Sequence, residues 1–407
     1  MTLHGPGPGS RKESTPVAKL LENETIIYFG PEPWAGLWRN RHQLMSRFAG
    51  QNDVWYVEPP TMLRGLLGLR RNGDAPPAPR RTRLFSRDAS GVRIFHSPWW
   101  LPITGRAPFK DISIRIFLAV ISLVARIGAN RRAIVWFSRP TMVDYLGKLP
   151  AKSTIYHVVD EYGGYGHPTK MQSKPDDKEI EMLQTADAVV VVTPTLFDLK
   201  SPHNANTFVV PNAVDHDAYA DRNLPSPDDI TEIGGPIIGY SGLIAARLDL
   251  ELLIDAAEAR PDWNFVFVGS VNDQYCETGL QKLRDMSNVH FLGHKPVHDV
   301  PQYVRRFDVC IIPYVLNLRA QHASPLKLYE YAAASRPIVT TDFAAARSFD
   351  GHVRIARDAN EFLRACEEAL NLDASALEIQ ENLRMAAGNT WSHRVQQISE
   401  IIRGLDS

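Results

Sequence analysis

In the stretch HASPLKLYEYAAASRPIVTT, from His322 to Thr341, four side chains of different chemistry fall within nine positions: His322, Ser324, Lys327 and Glu330. Ser324 is a good N-cap and Pro325 suits a first helical position, so the spacing predicts a helix start whose free N–H groups face an anion. Lys327 then lies in the first turn, where the helix dipole disfavours a cation unless a ligand's negative charge compensates it. Glu330 follows on the same face, where a carboxylate can accept hydrogen bonds from a pair of sugar hydroxyls. The plainer reading is a Lys327–Glu330 surface pair worth about 0.2–0.5 kcal/mol.

Such a helix start needs a sheet to hold it. Short apolar runs alternate with helical patterns along the chain, which predicts parallel strands with crossover helices. TIIYFG, DVWYVE, GVRIF, AIVWF, STIYHVV, DAVVVV and TFVVPN read as strands in the first half, and PIIGYSG, NFVFVGS, NVHFLG, DVCIIPY, RPIVTT and HVRIA in the second. The expected organisation is a disordered tail over 1–22, a first α/β domain over 23–215, a linker over 216–235 rich in Pro, Gly and acids, and a second domain over 236–385. A final helix over 386–407 is placed to pack back on the first domain. Ligands of doubly wound sheets bind outside the carboxyl ends of the strands. Gly239 and Gly242 in GYSG allow close backbone approach there, Arg247 follows within reach of a phosphate, and Gly269 and Lys295 stand at the ends of the next two strands.

The three cysteines, Cys276, Cys310 and Cys366, form neither a disulfide framework nor a zinc pattern, which fits a reducing cytosol. Net charge is −1 overall, yet Trp34 to Pro150 carries 19 Lys/Arg against 6 Asp/Glu. The basic residues gather in LRGLLGLRRNG, PRRTRLFSR and FKDISIRIFLAVISLVARIGANRR. In the last of these the apolar run Ile116–Ala125 is too short to span a bilayer, which takes about 20 residues. It reads as a buried helix with solvated ends, or as a basic and apolar face resting on an anionic membrane. No nucleic-acid recognition motif accompanies the charges, so nucleic acid is not an expected partner.

VPNAVD, GYSG, FVGS, VHFLGHK, CIIPY and SPLKLYEYAAASRPIV, in that order over most of Thr207–Thr341, resemble the donor-binding domain of family 4-like glycosyltransferases of the GT-B fold. More weakly, WRNRHQLMSRFA, VWYVEPP and YHVVDEYGGYG are similar to bacterial enzymes of teichuronic-acid and exopolysaccharide assembly. The resemblance implies an α/β chain of two Rossmann-like domains facing a central cleft, with a nucleotide-sugar donor on the second domain and a glycan or lipid-linked acceptor on the first. Lys327 and Glu330 would then serve the donor's diphosphate and ribose, Gly242 and Arg247 the diphosphate, and the Gly269 and Lys295 loops the base. UDP is favoured over GDP. The expected place is the cytoplasm, peripheral on the inner face of the membrane.

Many family 4 enzymes carry two glutamates eight positions apart, and here the first of those positions is His322. The departure leaves the stereochemistry open. It also directs attention to inverting glucuronosyltransferases of xanthan assembly, similar at SPLKL and at an Asp placed like Asp160 in HVVDEYGG. An inverting transfer needs a general base for the acceptor hydroxyl. Asp160 is the first candidate and Glu161 the second, while His157, inside the strand, reads as packed. No cofactor is expected beyond the nucleotide-sugar co-substrate. No essential metal is expected either, since helix N-termini and Lys/Arg can neutralise a leaving diphosphate. A dinucleotide fingerprint, a Walker A loop and a nucleophile elbow are all missing from the sequence. A non-catalytic sugar-nucleotide-binding subunit and a GT-B-like epimerase remain as alternatives.

Overall fold

The computed structural model describes residues 20–36, 38–60, 83–98, 100, 109–128, 131–161, 175–221, 223–273, 276–373 and 375–405. Two sheets organise them. The first holds β1 (Thr25–Phe29), β2 (Asp53–Val57), β3 (Phe85–Arg87), β4 (Arg93–Phe95), β5 (Ala133–Phe137), β6 (Ala151–Val158), β7 (Ala188–Val191) and β8 (Thr207–Val209), in the spatial order β3-β4-β2-β1-β5-β6-β7-β8. The second holds β9 (Ile237–Ser241), β10 (Asn264–Val268), β11 (Val289–Gly293), β12 (Val309–Ile312), β13 (Ile338–Thr341) and β14 (Arg354–Ala356), in the order β11-β10-β9-β12-β13-β14. All pairings within the second sheet are parallel. The strand order reverses on either side of β1 and of β9, which opens a crevice at the carboxyl ends of each sheet.

Parallel strands covered on both faces read as continuous apolar runs, and TIIYF, AIVWF and AVVV are buried throughout. Alternate residues then feed two cores. Ile27, Phe29, Val135 and Phe137 pack with Phe117 and Ile121 of the helix Phe109–Ala125. Ile26, Tyr28, Ile134 and Trp136 pack on the opposite face with Leu44, Met45 and Phe48 of the helix Asn40–Phe48 and with Trp391, Val395, Ile398 and Ile402 of the helix Trp391–Gly404. The last helix of the chain therefore completes the core of the first domain.

The structure departs from the sequence reading in three places. β3 is an edge strand antiparallel to β4, three residues long, and was not foreseen. The stretch 216–235 is not a free linker: it folds into the helices His216–Ala220 and Asp228–Thr231, whose Tyr219 and Ile230 enter the core of the second domain. Leu21, assigned to the tail, is buried in the first domain, and its carbonyl accepts from Asn52 Nδ2 at 2.8 Å. The rest of that tail, and the LRGLLGLRRNG run, lie outside the described residues.

The two passages of the chain between domains are fastened to each other. Val214 N donates to the Asn389 carbonyl at 3.1 Å, and Trp391 N donates to the Val214 carbonyl at 3.3 Å.

Candidate active site

The loops after β9, β10 and β11 stack side by side at the edge of the second sheet. Gly242 N donates to the Val268 carbonyl at 2.7 Å, and Gly269 N donates to the Gly293 carbonyl at 2.8 Å. Gly269 has φ +148°, and a Cβ there would lie 2.0 Å from the Gly242 carbonyl oxygen, so only glycine permits this stacking. Gly242 has φ +134°, and a Cβ there would lie 2.6 Å from Lys327 Nζ. The ammonium of Lys327 thus sits directly over the loop, 5.0 Å from the centre of the Tyr240 ring. Arg247 approaches from the other side, 5.7 Å from the centre of the Tyr314 ring.

These cations converge on two phenols, and neither makes a salt bridge among the described residues. Burial pushes the Tyr314 phenol up, but Lys327 and Arg247 more than reverse this and hold it below its ordinary range. Lys327 and Arg247 thus act together on one buried phenol. One turn beyond Lys327, Glu330 lies beside Tyr219, and burial holds its carboxyl above the ordinary range despite the pull of Lys327. Lys327 and Glu330 form no salt bridge among the described residues, although the Lys327 charge reaches the Glu330 carboxyl.

The facing wall comes from the first domain. β6 ends at Val158, and Asp160 follows, half-buried, its Oδ1 accepting from Glu161 N at 3.0 Å. Burial pulls the Arg247 guanidinium down, but Tyr314, Tyr240 and the Asp160 carboxylate of the facing domain hold it charged. His322 ends the helix Leu318–His322, which packs against the helix Pro194–Lys200 of the first domain. Burial pushes its imidazole down, with Lys200 acting in the same sense and Glu161 and Asp160 opposing. Its buried Nδ1 has no partner among the described residues. Asp160 thus lies within electrostatic reach of both Arg247 and His322, and Arg247 shares Tyr314 with Lys327.

Residues 235–371 match the family described as Glycosyl transferases group 1. The matched residues span the whole of the second sheet. TuaH of Bacillus subtilis (strain 168), assigned to teichuronic acid biosynthesis as a glycosyltransferase, is 27% identical over 236 residues. That match covers 54% of this chain and 57% of the length of TuaH. Among solved structures, Anabaena HepE in complex with UDP and glucose superposes with a TM-score of 0.65 at 13% identity, over 94% of this chain and 100% of that one. Sucrose-phosphate synthase from Thermosynechococcus elongatus superposes with a TM-score of 0.67 at 17% identity, over 94% and 99%. The chain has the GT-B fold, with two Rossmann-like domains.

Within the second domain three sequence assignments change. The helix runs Leu326–Ala333 with Pro325, at ψ 126°, as its N-cap, so Ser324 does not cap it. The Ser324 carbonyl instead accepts from Asn212 Nδ2 at 2.7 Å, and Asn212 Oδ1 accepts from Asn40 Nδ2 at 3.4 Å, which ties the helix start to the first domain. Gly239 serves packing rather than a ligand, since a Cβ there would lie 2.0 Å from the Phe307 ring. Lys295 is engaged by Asp229 Oδ2 at 2.6 Å and stands 4.9 Å from the Tyr303 ring centre, so its ammonium fastens the 228–231 helix to the domain.

The two acids at the tip of β6 have different fates. Glu161 is 3% exposed, and its carboxylate turns inward onto Lys200 Nζ at 3.0 Å. Asp160 alone of the pair borders the cleft. The GGYG turn beyond them lies outside the described residues. An open cavity of about 910 Å³ lies elsewhere, between Lys152, Asp187, Asn206 and Leu405, and includes none of these groups.

Sequence reasoning missed Tyr240, Tyr314, Tyr219 and Asn212, although all but Tyr219 lie inside quoted motifs. For Tyr240, an aromatic at the carboxyl end of a strand two residues before a glycine was the available signal.

Proposed function

We propose that this protein is a glycosyltransferase that moves a sugar from a nucleotide-sugar, UDP over GDP, to a glycan or lipid-linked acceptor in bacterial cell-surface polysaccharide synthesis. The observation that carries the reading is the pair of cations at the ends of these strands, Lys327 over the Gly242 loop and Arg247 over the Tyr314 ring, neither held in a salt bridge among the described residues. A diphosphate supplies the missing charge. The group 1 match, the likeness to TuaH and the UDP and glucose held by HepE support the same donor class. Glu330 would take the ribose hydroxyls, with the Gly269 and Gly293 loops beside the base.

In this reading the acceptor oxygen attacks the anomeric carbon while the bond from that carbon to the diphosphate oxygen breaks. The acceptor's proton passes to the Asp160 carboxylate. The electrons of the broken bond leave with the diphosphate, whose charge Lys327, Arg247 and the N-terminus of the Leu326–Ala333 helix stabilise, so no metal ion is required. His322 faces the sugar and contributes a hydrogen bond. A thermal-shift screen of UDP- and GDP-sugars tests the reading. A UDP-sugar is expected to give the largest rise in melting temperature, and no rise with any nucleotide-sugar would overturn it.

The first domain also presents a surface suited to an anionic membrane. Among the described residues no helix is long and apolar enough to cross one. The helix Phe109–Ala125 buries Ile114, Phe117, Leu118 and Ile121, yet leaves Phe109 65%, Ile112 54%, Ile116 47% and Leu123 79% exposed. Their spacing puts them in one line along the helix, with the exposed Arg115 and Arg126 beside it. Such a face lies in a bilayer interface, with the cations at the headgroups. The protein should co-sediment with vesicles containing phosphatidylglycerol, less so as salt rises, because the attraction is screened over about 8–10 Å near physiological ionic strength. The double substitution Ile112→Glu, Ile116→Glu should release it. Equal binding to neutral vesicles, or binding untouched by the substitution, would contradict this placement.

A further inference from the structure

Lys200, the last residue of the helix Pro194–Lys200, is 0% exposed. Its Nζ lies 3.0 Å from Glu161 Oε2 and 2.9 Å from Glu179 Oε1, and the Tyr156 hydroxyl donates to the same Glu179 oxygen at 3.2 Å. Lysine is almost never fully buried unless paired. An apolar cluster of similar volume is often at least as stable as a buried ion group, so stability is a poor reason for this one. Its location offers another. Glu161 adjoins Asp160, and its own N–H holds Asp160 Oδ1 at 3.0 Å, so a rotation of the backbone there moves both side chains. Anchoring Glu161 inward therefore sets the direction of Asp160.

We propose that Lys200 is a positioning residue for the transfer: through Glu161 it aims the Asp160 carboxylate into the cleft. This rests on the reading of Asp160 as the general base. Burial pushes the Glu179 carboxyl up against the pull of Lys200. From the second domain Arg247 and His322 face Asp160, and the charge of Lys200 reaches His322 as well.

The test is a double-mutant cycle on the full chain, using the donor chosen by thermal shift and nucleotide release as the readout, with folding checked by circular dichroism melts. Lys200→Met should lower kcat by about 10- to 100-fold with donor KM and calorimetric Kd unchanged within about twofold, because the loss falls on the step and not on donor binding. Lys200→Arg should restore part of it. In an Asp160→Asn background Lys200→Met should cost less than about twofold, since residues acting as a unit are non-additive. Should Lys200→Met fail to fold, Glu161→Gln takes its place in the cycle, with the same expected non-additivity. Equal losses in both backgrounds, or loss of donor affinity, would overturn the positioning role alone. An Asp160→Asn protein working at the wild-type rate would overturn the base reading, and the proposal with it.

Discussion

Asp160→Asn is expected to bind the nucleotide-sugar as the wild type does and to turn it over about 10²- to 10⁴-fold more slowly, the usual consequence of removing a general base. Three features lead to this expectation. Asp160 stands half-buried just beyond the tip of β6. Its charge is felt by Arg247 and by His322 across the cleft, so it is close to the reacting groups. Asn keeps the shape and the acceptor for Glu161 N–H, which separates loss of the base from loss of the fold. Glu161→Gln should be milder. Calorimetry and initial rates on the same preparation check both halves. Near-normal turnover, or loss of donor binding together with turnover, would refute the assignment. A retained anomeric configuration in the product would also remove the need for a base there and return attention to His322 and Glu330.

Lys327→Ala is the second large effect, and it should fall on affinity. An ammonium that makes a charge-assisted hydrogen bond to a ligand contributes about 1.5–3 kcal/mol, so the nucleoside diphosphate should bind about 10- to 150-fold more weakly. The fold should tolerate the change, because Lys327 has no salt bridge to lose among the described residues and its position over Gly242 is at the open edge of the sheet. Isothermal titration with UDP and with GDP measures it. Unchanged affinity for both would show that the diphosphate does not sit on this helix start.

The strands were legible because burial on both faces writes itself as unbroken apolar, β-branched runs, as in AIVWF and AVVV. β3 was not, since Phe85 and Arg87 are exposed and three edge residues leave no period to read. The helices inside 216–235 were hidden for a similar reason: Tyr219 and Ile230 are isolated apolar residues in a polar, Pro-rich stretch, and only the second domain's surface makes them core. In the candidate site the order Ser324, Lys327, Glu330 pointed to an anion at a helix start. The cap fell one residue later because the N-cap is fixed by backbone conformation, here at Pro325.

Adjacent acids were the hardest case. Asp160 and Glu161 look alike in sequence, and what separates them is Lys200, 39 positions further on at a helix end that reads as an ordinary surface lysine. Long-range pairing of this kind leaves no local trace.

Glycosyl transfer from a donor held on Lys327 and Arg247 is tested most directly by nucleotide release. Incubated with the nucleotide-sugar selected by thermal shift and with water as the only acceptor, the full chain should liberate the nucleoside diphosphate above the uncatalysed rate, with Lys327→Ala impaired through donor binding. A protein that binds the same donor tightly and releases nothing, with or without a cell-envelope lipid extract as acceptor, would instead be a sugar-nucleotide-binding subunit and would contradict the enzymatic account.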